Sequence, residues 1–175
     1  MPTALFNTDP NRSIKGLLDL YPWNVCLHLN PEIPWLDHQS TLILGDRILR
    51  HTQEQLYGRN PDGHYGVFVL VPERCPQGLW HYHGFGWVKS AGRLKRLHKH
   101  GSEWFENAVH GFIRRGGCFV PDHLGGAAHL NLEIINPSAL FQPLEKPSEA
   151  IYYAQKNWLR DDKEERVCLS GRQPA

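Results

Sequence analysis

Features that mark several other protein classes are scarce or absent in this 175-residue sequence. Its four cysteines include no C-x-x-C pair, which disfavours a zinc ribbon or a disulfide scaffold and favours reduced thiols in an intracellular protein. It has no run of 18 apolar residues, so no membrane-spanning helix is expected. The first residues lack the apolar segment of a secretory signal. The net charge of +1 shows that the chain as a whole is not a polycation.

What the sequence does contain indicates one domain with a sizeable core. Hydrophobic residues make up 41% of it and aromatic residues 11%, which argues against disorder. Apolar alternation predicts strands at 23–30, 64–71, 79–88, 118–120 and 127–135. Helical spacing and capping residues predict helices at 37–57, 101–115 and 149–159. Hairpin-forming strands with helices between them predict an α+β fold, an antiparallel sheet of about five strands flanked by helices. The predicted organisation is a lead-in at 1–22, the domain at 23–160 and a C-terminal tail at 161–175.

Two histidines in one predicted strand are the most informative feature. His81 and His83 lie inside an aromatic and β-branched segment, and alternate residues of a strand face the same side. Two neighbouring imidazoles are half of a metal site. A second pair, His98 and His100, lies in a polar, basic stretch and is interpreted as surface. Random placement of the 11 histidines gives about 0.7 such pairs, so a half-buried strand that tolerates histidine is the alternative.

Basic residues cluster just after the histidine strand. The stretch 89–100 contains five basic residues and no acid: Lys89, Arg93, Lys95, Arg96 and Lys99. Such a patch can neutralise phosphates. A solvated helix face is the alternative interpretation, because that is the usual place of a run of charges.

Three segments resemble, in this order, the motifs of the HUH endonucleases that initiate rolling-circle replication of small viral and plasmid genomes. Leu27–Asn30 is similar to the first motif, although His28 stands where threonine is usual. His81–Phe85 matches the pattern His-hydrophobic-His-Gly-Phe. Tyr153–Lys156 matches Tyr-x-x-Lys on a helix. The resemblance covers residues 23–159 and implies a ferredoxin- or RRM-like nuclease fold.

By this resemblance, a divalent cation, Mg²⁺ or Mn²⁺, is held by His81, His83 and a third ligand. Glu73 is the first candidate, because it ends the preceding strand and family members often place an acid there. Glu133, on a later predicted strand, is the reserve. A solvent-facing loop acid is the alternative interpretation of Glu73.

The resemblance also implies that Tyr153 is the nucleophile and that Lys156 assists it. With Ile151 at 0° on a helical wheel, Tyr152 lies at about 100°, at the margin of the apolar stripe, and Tyr153 at about 200°, away from it. Tyr152 is therefore predicted to pack and Tyr153 to be free to react. Tyr152 remains the alternative nucleophile, because it pairs with Lys156 at i, i+4.

The implied activity is sequence-specific nicking and rejoining of single-stranded or hairpin origin DNA through a 5′-phosphotyrosyl link. Asn30 is expected to support the active site or the bound strand, and the DNA contacts are expected from Lys89, Arg93, Lys95 and Arg96. No P-loop motif is present, so this sequence contains no ATP-dependent helicase domain of that type. A helicase is expected either to be supplied by the host and to act in trans, or to have belonged to a part that was removed. The expected location is the cytoplasm, or the host nucleus for a eukaryotic virus, without a membrane partner. The alternatives are a single-tyrosine transposase of a small mobile element and a non-catalytic nucleic-acid-binding module.

Overall fold

An antiparallel sheet with helices on its faces makes up the part of the chain that the structure describes. This computed structural model describes the backbone of residues 18–59, 66–158 and 168–170, and their side chains except at 128, 153–158 and 168–170. The strands are β1 (Val25–Asn30), β2 (Val67–Arg74), β3 (Trp80–Trp87), β4 (Ser138–Pro143) and β5 (Cys168–Ser170). The helices are α1 (His38–Tyr57), α2 (Ala91–Arg114), α3 (Gly126–His129) and α4 (Pro147–Trp158).

The strand order across the sheet is β4-β1-β3-β2-β5, and every neighbouring pair is antiparallel. A β-α-β-β-α-β sequence of elements with this order is the ferredoxin-like arrangement. The predicted α+β fold with an antiparallel sheet is therefore confirmed. Four of its strands have six to eight residues, and the edge strand β5 adds only three. The histidine strand β3 lies in the middle of the sheet, between β1 and β2.

One face of the sheet carries the larger core and is covered by α1 and α2. Leu27 and Leu29 of β1 and Tyr82 of β3 are buried there among the apolar residues of both helices. The Tyr82 hydroxyl donates a hydrogen bond of 2.6 Å to the carbonyl oxygen of Thr41 in α1, so the one polar group of this large side chain is satisfied. Asp37 begins α1 by accepting the Ser40 amide at 2.7 Å, which holds the pKa of its carboxyl below the usual value.

The opposite face is covered over only part of its length. A second buried cluster lies there, formed by Leu18, Trp23, Val67, Val69, Val71 and Phe85. Ala150 and Ile151 of α4 pack against this cluster. Because residues alternate along β3, this face is also the one that carries His81 and His83. The first half of α4 therefore lies on the histidine side of the sheet.

The structure corrects the predicted start of the second long helix. It begins at Ala91 and not at Gly101, with Ser90 as its N-cap, whose hydroxyl accepts the amide of Arg93 at 3.4 Å. Gly101 lies inside the helix, packed against the ring of Phe141. The helix ends at Arg114, within one residue of the predicted end at 115.

The last long strand was also misplaced. The alternating segment 127–135 was predicted to be a strand, but it forms the end of α3 and a 3₁₀ turn at Leu132–Ile134. The strand of this region is β4, inside the segment 136–147, for which neither a strand nor a helix is predicted. Side chains three residues apart lie on one side of a 3₁₀ turn, and Leu132 and Ile135 are buried at this spacing. Leu130, just before the turn, is buried as well.

Smaller differences concern the remaining segments. No strand forms at 118–120, and β2 spans Val67–Arg74 where 64–71 was predicted. Part of the predicted C-terminal tail forms β5 against β2. Most of the lead-in lies outside the described residues. None of the helices within the described ranges has the length and apolar character needed to cross a membrane.

Candidate metal centre

The β2–β3 hairpin brings together the three predicted metal ligands. Glu73 is directly opposite His81 in the antiparallel register, and His83 follows two residues later on the same face. The hairpin forms because β2 continues through Pro72 to Arg74 before the chain turns at 75–78. This continuation turns Glu73 from a loop residue into a strand residue with a fixed direction.

The donor atoms of the three side chains converge on one point. Nε2 of His81 lies 3.9 Å from Oε2 of Glu73, and Nε2 of His83 lies 3.8 Å from the same oxygen. All three donor atoms lie within 4.8 Å of one another. Ligands about 2.1 Å from a common cation are about 3.0–3.4 Å apart, so small side-chain movements close the set. The group is accessible, because all three side chains are partly exposed.

The electrostatics favour the form of His81 that binds metal. Burial lowers the pKa of His81, the Glu73 carboxylate opposes this by raising it, and His28 adds a smaller lowering effect. A lowered pKa keeps the imidazole neutral at neutral pH, and the neutral ring is the ligand. Two imidazoles and one carboxylate form an open set that leaves coordination positions for water or a substrate oxygen. The described residues thus fit a divalent cation.

The glycine that follows the histidine pair has a packing role. A Cβ atom on Gly84 would lie 2.1 Å from the carbonyl oxygen of Val69 on the neighbouring strand. Any larger residue would push β2 away from β3. Since these two strands carry the three ligands, Gly84 keeps the donor atoms of Glu73 and His83 close together.

A third imidazole, which is not among the predicted metal ligands, lies beside this group. The ring of His28 on β1 meets that of His83 edge to face, with centroids 4.7 Å apart. Nε2 of His28 lies 3.5 Å from the Cys26 thiol, and burial raises the pKa of that thiol, so it stays protonated at neutral pH. The signal available in the sequence was the alternation of β1, which places Cys26 and His28 on one face.

The predicted DNA-binding residues lie away from the metal centre. The predicted contacts Arg93, Lys95 and Arg96 are on α2, which packs on the sheet face opposite to the histidines. Arg93 donates to the Leu56 carbonyl oxygen at 3.1 Å. Lys89 follows β3 at the end far from His81, about 26 Å along an extended chain.

Glu133 is separate from the three ligands. Asn30 ends β1 one residue beyond the Leu29–Tyr82 pair, on the sheet face that carries His81 and His83. The Asn30 side-chain amide donates a hydrogen bond to the carboxylate of Glu32, two residues further along the chain. Glu133, the reserve ligand, lies exposed in the 3₁₀ turn, where its backbone amide donates to the Asn131 side chain at 3.0 Å. The metal-binding group found among the described residues contains Glu73 and not Glu133.

The predicted nucleophile belongs to α4, whose backbone is helical through Trp158. The side chains of Tyr153 and Lys156 lie outside the described residues, so their predicted positions stay predictions. The neighbouring Tyr152 is 68% exposed, and the prediction that it packs into the core is therefore wrong. Ile151, at the centre of the predicted apolar stripe, does pack against the second cluster.

Comparison with known proteins adds no further guide to function. No protein-family model, curated protein or solved structure matches this chain. The chemistry of the metal centre and its surroundings is therefore the basis on which a function is assigned.

Proposed function

We propose that this protein is a metal-dependent endonuclease that nicks single-stranded DNA at a replication origin and can reseal it through a tyrosine ester. The observation that carries the proposal is the convergence of Glu73, His81 and His83 on the open face of a ferredoxin-like sheet. The motif resemblance supplies the reaction type, and the hairpin supplies a site chemically suited to it.

In this proposal the three ligands hold Mg²⁺ or Mn²⁺, which polarises the oxygens of the scissile phosphate. Glu73 provides the hard oxygen donor that both cations prefer, and the two imidazoles suit Mn²⁺ better than Mg²⁺. Being partly exposed, the group leaves room for a phosphodiester to approach. The chain contributes a fixed three-point site, because the ligands come from paired strands and not from a loop.

The nucleophile in this proposal is the phenol oxygen of Tyr153. It attacks phosphorus, the bond from phosphorus to the 3′ oxygen breaks, and the leaving 3′ oxygen takes a proton. The products are a 5′-phosphotyrosyl link and a free 3′-hydroxyl. The ester conserves the energy of the broken bond, so that the reverse attack can rejoin the strand. The role proposed for Lys156, three residues along the sequence, is to favour the phenolate through its positive charge.

The packing of α4 supports the choice of this helix. Ile151 lies against the cluster that contains Val71 and Phe85, and these two residues are on the same sheet face as the ligands. Tyr153 follows two residues later on the same helix. The exposure of Tyr152 makes it the natural control, because it is a neighbouring phenol on the same helix.

The test compares two tyrosine variants. Wild-type protein, Tyr153→Phe and Tyr152→Phe are mixed with a labelled pool of single-stranded oligonucleotides and Mn²⁺, then denatured. We expect a protein–DNA adduct in the wild type and Tyr152→Phe, and none in Tyr153→Phe, while DNA binding is nearly unchanged. Addition of EDTA should abolish the adduct in every sample. Adduct formation by Tyr153→Phe overturns the assignment of the nucleophile, and a wild type that never forms an adduct favours a non-catalytic binding module.

A further inference from the structure

A row of residues extends from the metal centre across the open face of the sheet. In the strand register, Val71 is paired with His83, His83 with His28, and His28 with Leu140 of β4. Neighbouring strands are about 4.8 Å apart. His28 therefore lies one strand away from a metal ligand, and Leu140 two strands away, both on the side opposite to Glu73.

The outer two residues of this row are open to solvent. His28 is exposed, and Leu140 is 48% exposed although it is a large apolar residue on a strand. Further along the same face, Phe85 and Trp23 are covered by the second cluster. The face is thus divided into a covered half under α4 and an open half that carries the ligands, His28 and Leu140.

Two contacts orient the His28 ring. It meets His83 edge to face at an interplanar angle of 90°, and its Nε2 lies within hydrogen-bonding distance of the Cys26 thiol. That nitrogen lies beside the thiol, and His28 is not a member of the group of converging donor atoms. The ring is placed as a flat surface beside the metal centre and not as a fourth ligand.

We propose that His28 and Leu140 form a base-binding shelf, on which a nucleobase next to the scissile phosphate packs when single-stranded DNA occupies the metal centre. The proposal rests on the function proposed above and adds the place where the substrate is held. Stacking on an aromatic ring accepts any base, because every base has a π-face. No member of the row carries a carboxylate, so the shelf does not repel a phosphate backbone.

The dimensions agree with this occupant. Neighbouring strands are about 4.8 Å apart, so His28 lies one such spacing from His83 and Leu140 lies two. A base attached next to a phosphodiester at the three ligands extends over β1 and β4 in this proposal. Replacement of the threonine usual in the first motif by His28 gives this chain an aromatic surface at that position.

The test measures binding of a fluorescein-labelled single-stranded oligonucleotide in EDTA, so that neither metal nor cleavage contributes. We expect His28→Ala to weaken binding by about 5- to 150-fold, the loss of one stacked base, and Leu140→Ser to weaken it several-fold. His28→Phe should bind like the wild type, because it keeps the ring. Ile43→Ser is the matched control, since Ile43 is 50% exposed on α1, on the far side of the sheet. It should bind like the wild type.

A second oligonucleotide and a metal titration separate the possible outcomes. An oligonucleotide with abasic sites should bind wild type and His28→Ala equally, and Mn²⁺ affinity should be the same in both proteins. If His28→Ala binds DNA as tightly as the wild type, the shelf is overturned. If His28→Ala loses Mn²⁺ affinity, the shelf is also overturned, because His28 would then be a metal ligand. The adduct assay depends on Tyr153 and not on His28. If the wild type forms the adduct and His28→Ala keeps its DNA affinity, the shelf is rejected and the proposed nuclease function is not. His28-dependent DNA binding without any adduct rejects only the proposed chemistry.

Discussion

At the scale of single residues, the Glu73 carboxylate turns a pair of histidines into a centre that can hold a divalent cation. It is the shared neighbour of both imidazoles, at 3.9 Å and 3.8 Å. Without it, two neutral rings offer no negative charge to a hard cation such as Mg²⁺ or Mn²⁺. Its position opposite His81 depends on β2 continuing past Pro72. Proline has no backbone N–H to donate, and this is tolerated because Pro72 lies near the end of the sheet.

Replacing this carboxylate should therefore affect metal binding more than stability. We expect Glu73→Gln to weaken Mn²⁺ binding by at least about tenfold, because a ligand is lost and not only an outer-shell partner. Glu133→Gln, which changes an exposed carboxylate elsewhere, should leave the affinity unchanged. Isothermal titration calorimetry of the three proteins makes the comparison. Equal affinities for wild type and Glu73→Gln would show that the cation is held elsewhere.

A second histidine illustrates how burial couples a single residue to pH. His51 on α1 has its pKa lowered below the usual 6.5, chiefly by burial and secondarily by Arg47, while Glu54 opposes the shift. The folded protein thus resists protonating this ring more than the unfolded chain does. Stability is unaffected above about pH 6.5 and is lost as the pH falls from there towards the lowered pKa.

We therefore expect His51→Gln to lose less stability than the wild type between pH 7.5 and pH 5. The neutral side chain removes a group that the unfolded state protonates more readily. Urea midpoints at the two pH values give the comparison, with the other histidines titrating in both proteins. A larger acid-induced loss in His51→Gln would contradict the sign of this coupling.

At the scale of elements, α2 shows how packing overrides local preference. Gly101 lies in the middle of this 24-residue helix, where glycine costs about 1 kcal/mol relative to alanine. It is accommodated because Phe141 of β4 occupies the space of a side chain, and an added Cβ would lie 2.6 Å from that ring. Close approach of helix and strand explains why a poor helix former sits there.

Gly101→Ala is expected to destabilise the protein by about 1–3 kcal/mol, since overpacking outweighs the gain in helix propensity. Gly111→Ala, in the same helix, is the matched control. There the nearest atom to an added Cβ is the flexible end of Arg47 at 3.7 Å, so we expect about 0.5–1 kcal/mol of stabilisation. Chemical denaturation of both variants measures the difference. Stabilisation by both substitutions would show that Phe141 moves aside freely.

At the scale of the whole molecule, the two faces of the sheet have different tasks. One face is buried under α1 and α2 and holds most of the core. The other is only half covered, and its open half carries Glu73, His81 and His83. Since the ligands come from two paired central strands, a bound cation links segments that must separate when the sheet unfolds.

Metal binding should therefore raise the melting temperature. At a free Mn²⁺ concentration of 100 times Kd the stabilisation is about 2.7 kcal/mol, or about 5–10 °C for a chain of this size. EDTA should remove the shift, and Glu73→Gln should show little of it at the same concentration. Differential scanning fluorimetry is sufficient. An equal shift in Glu73→Gln would place the stabilising cation away from the hairpin.

Much of the fold and of the metal centre followed from local patterns. The alternation that puts His81 and His83 on one face is a property of any strand, and the helix starting at Asp37 follows from its capping residue. β4 could not be found in this way. Its burial is irregular, with Phe141 buried and most of its neighbours open, whereas the cleaner alternation at 127–135 belongs to short helical turns.

The sequence by itself determined the two imidazoles, because strand periodicity depends only on neighbouring residues. Only the tertiary structure decided which carboxylate joins them and that His28 lies beside them, because strand register pairs residues that are distant along the chain. Pairing across a sheet is set by the burial of whole faces and by turn geometry, neither of which any single segment contains.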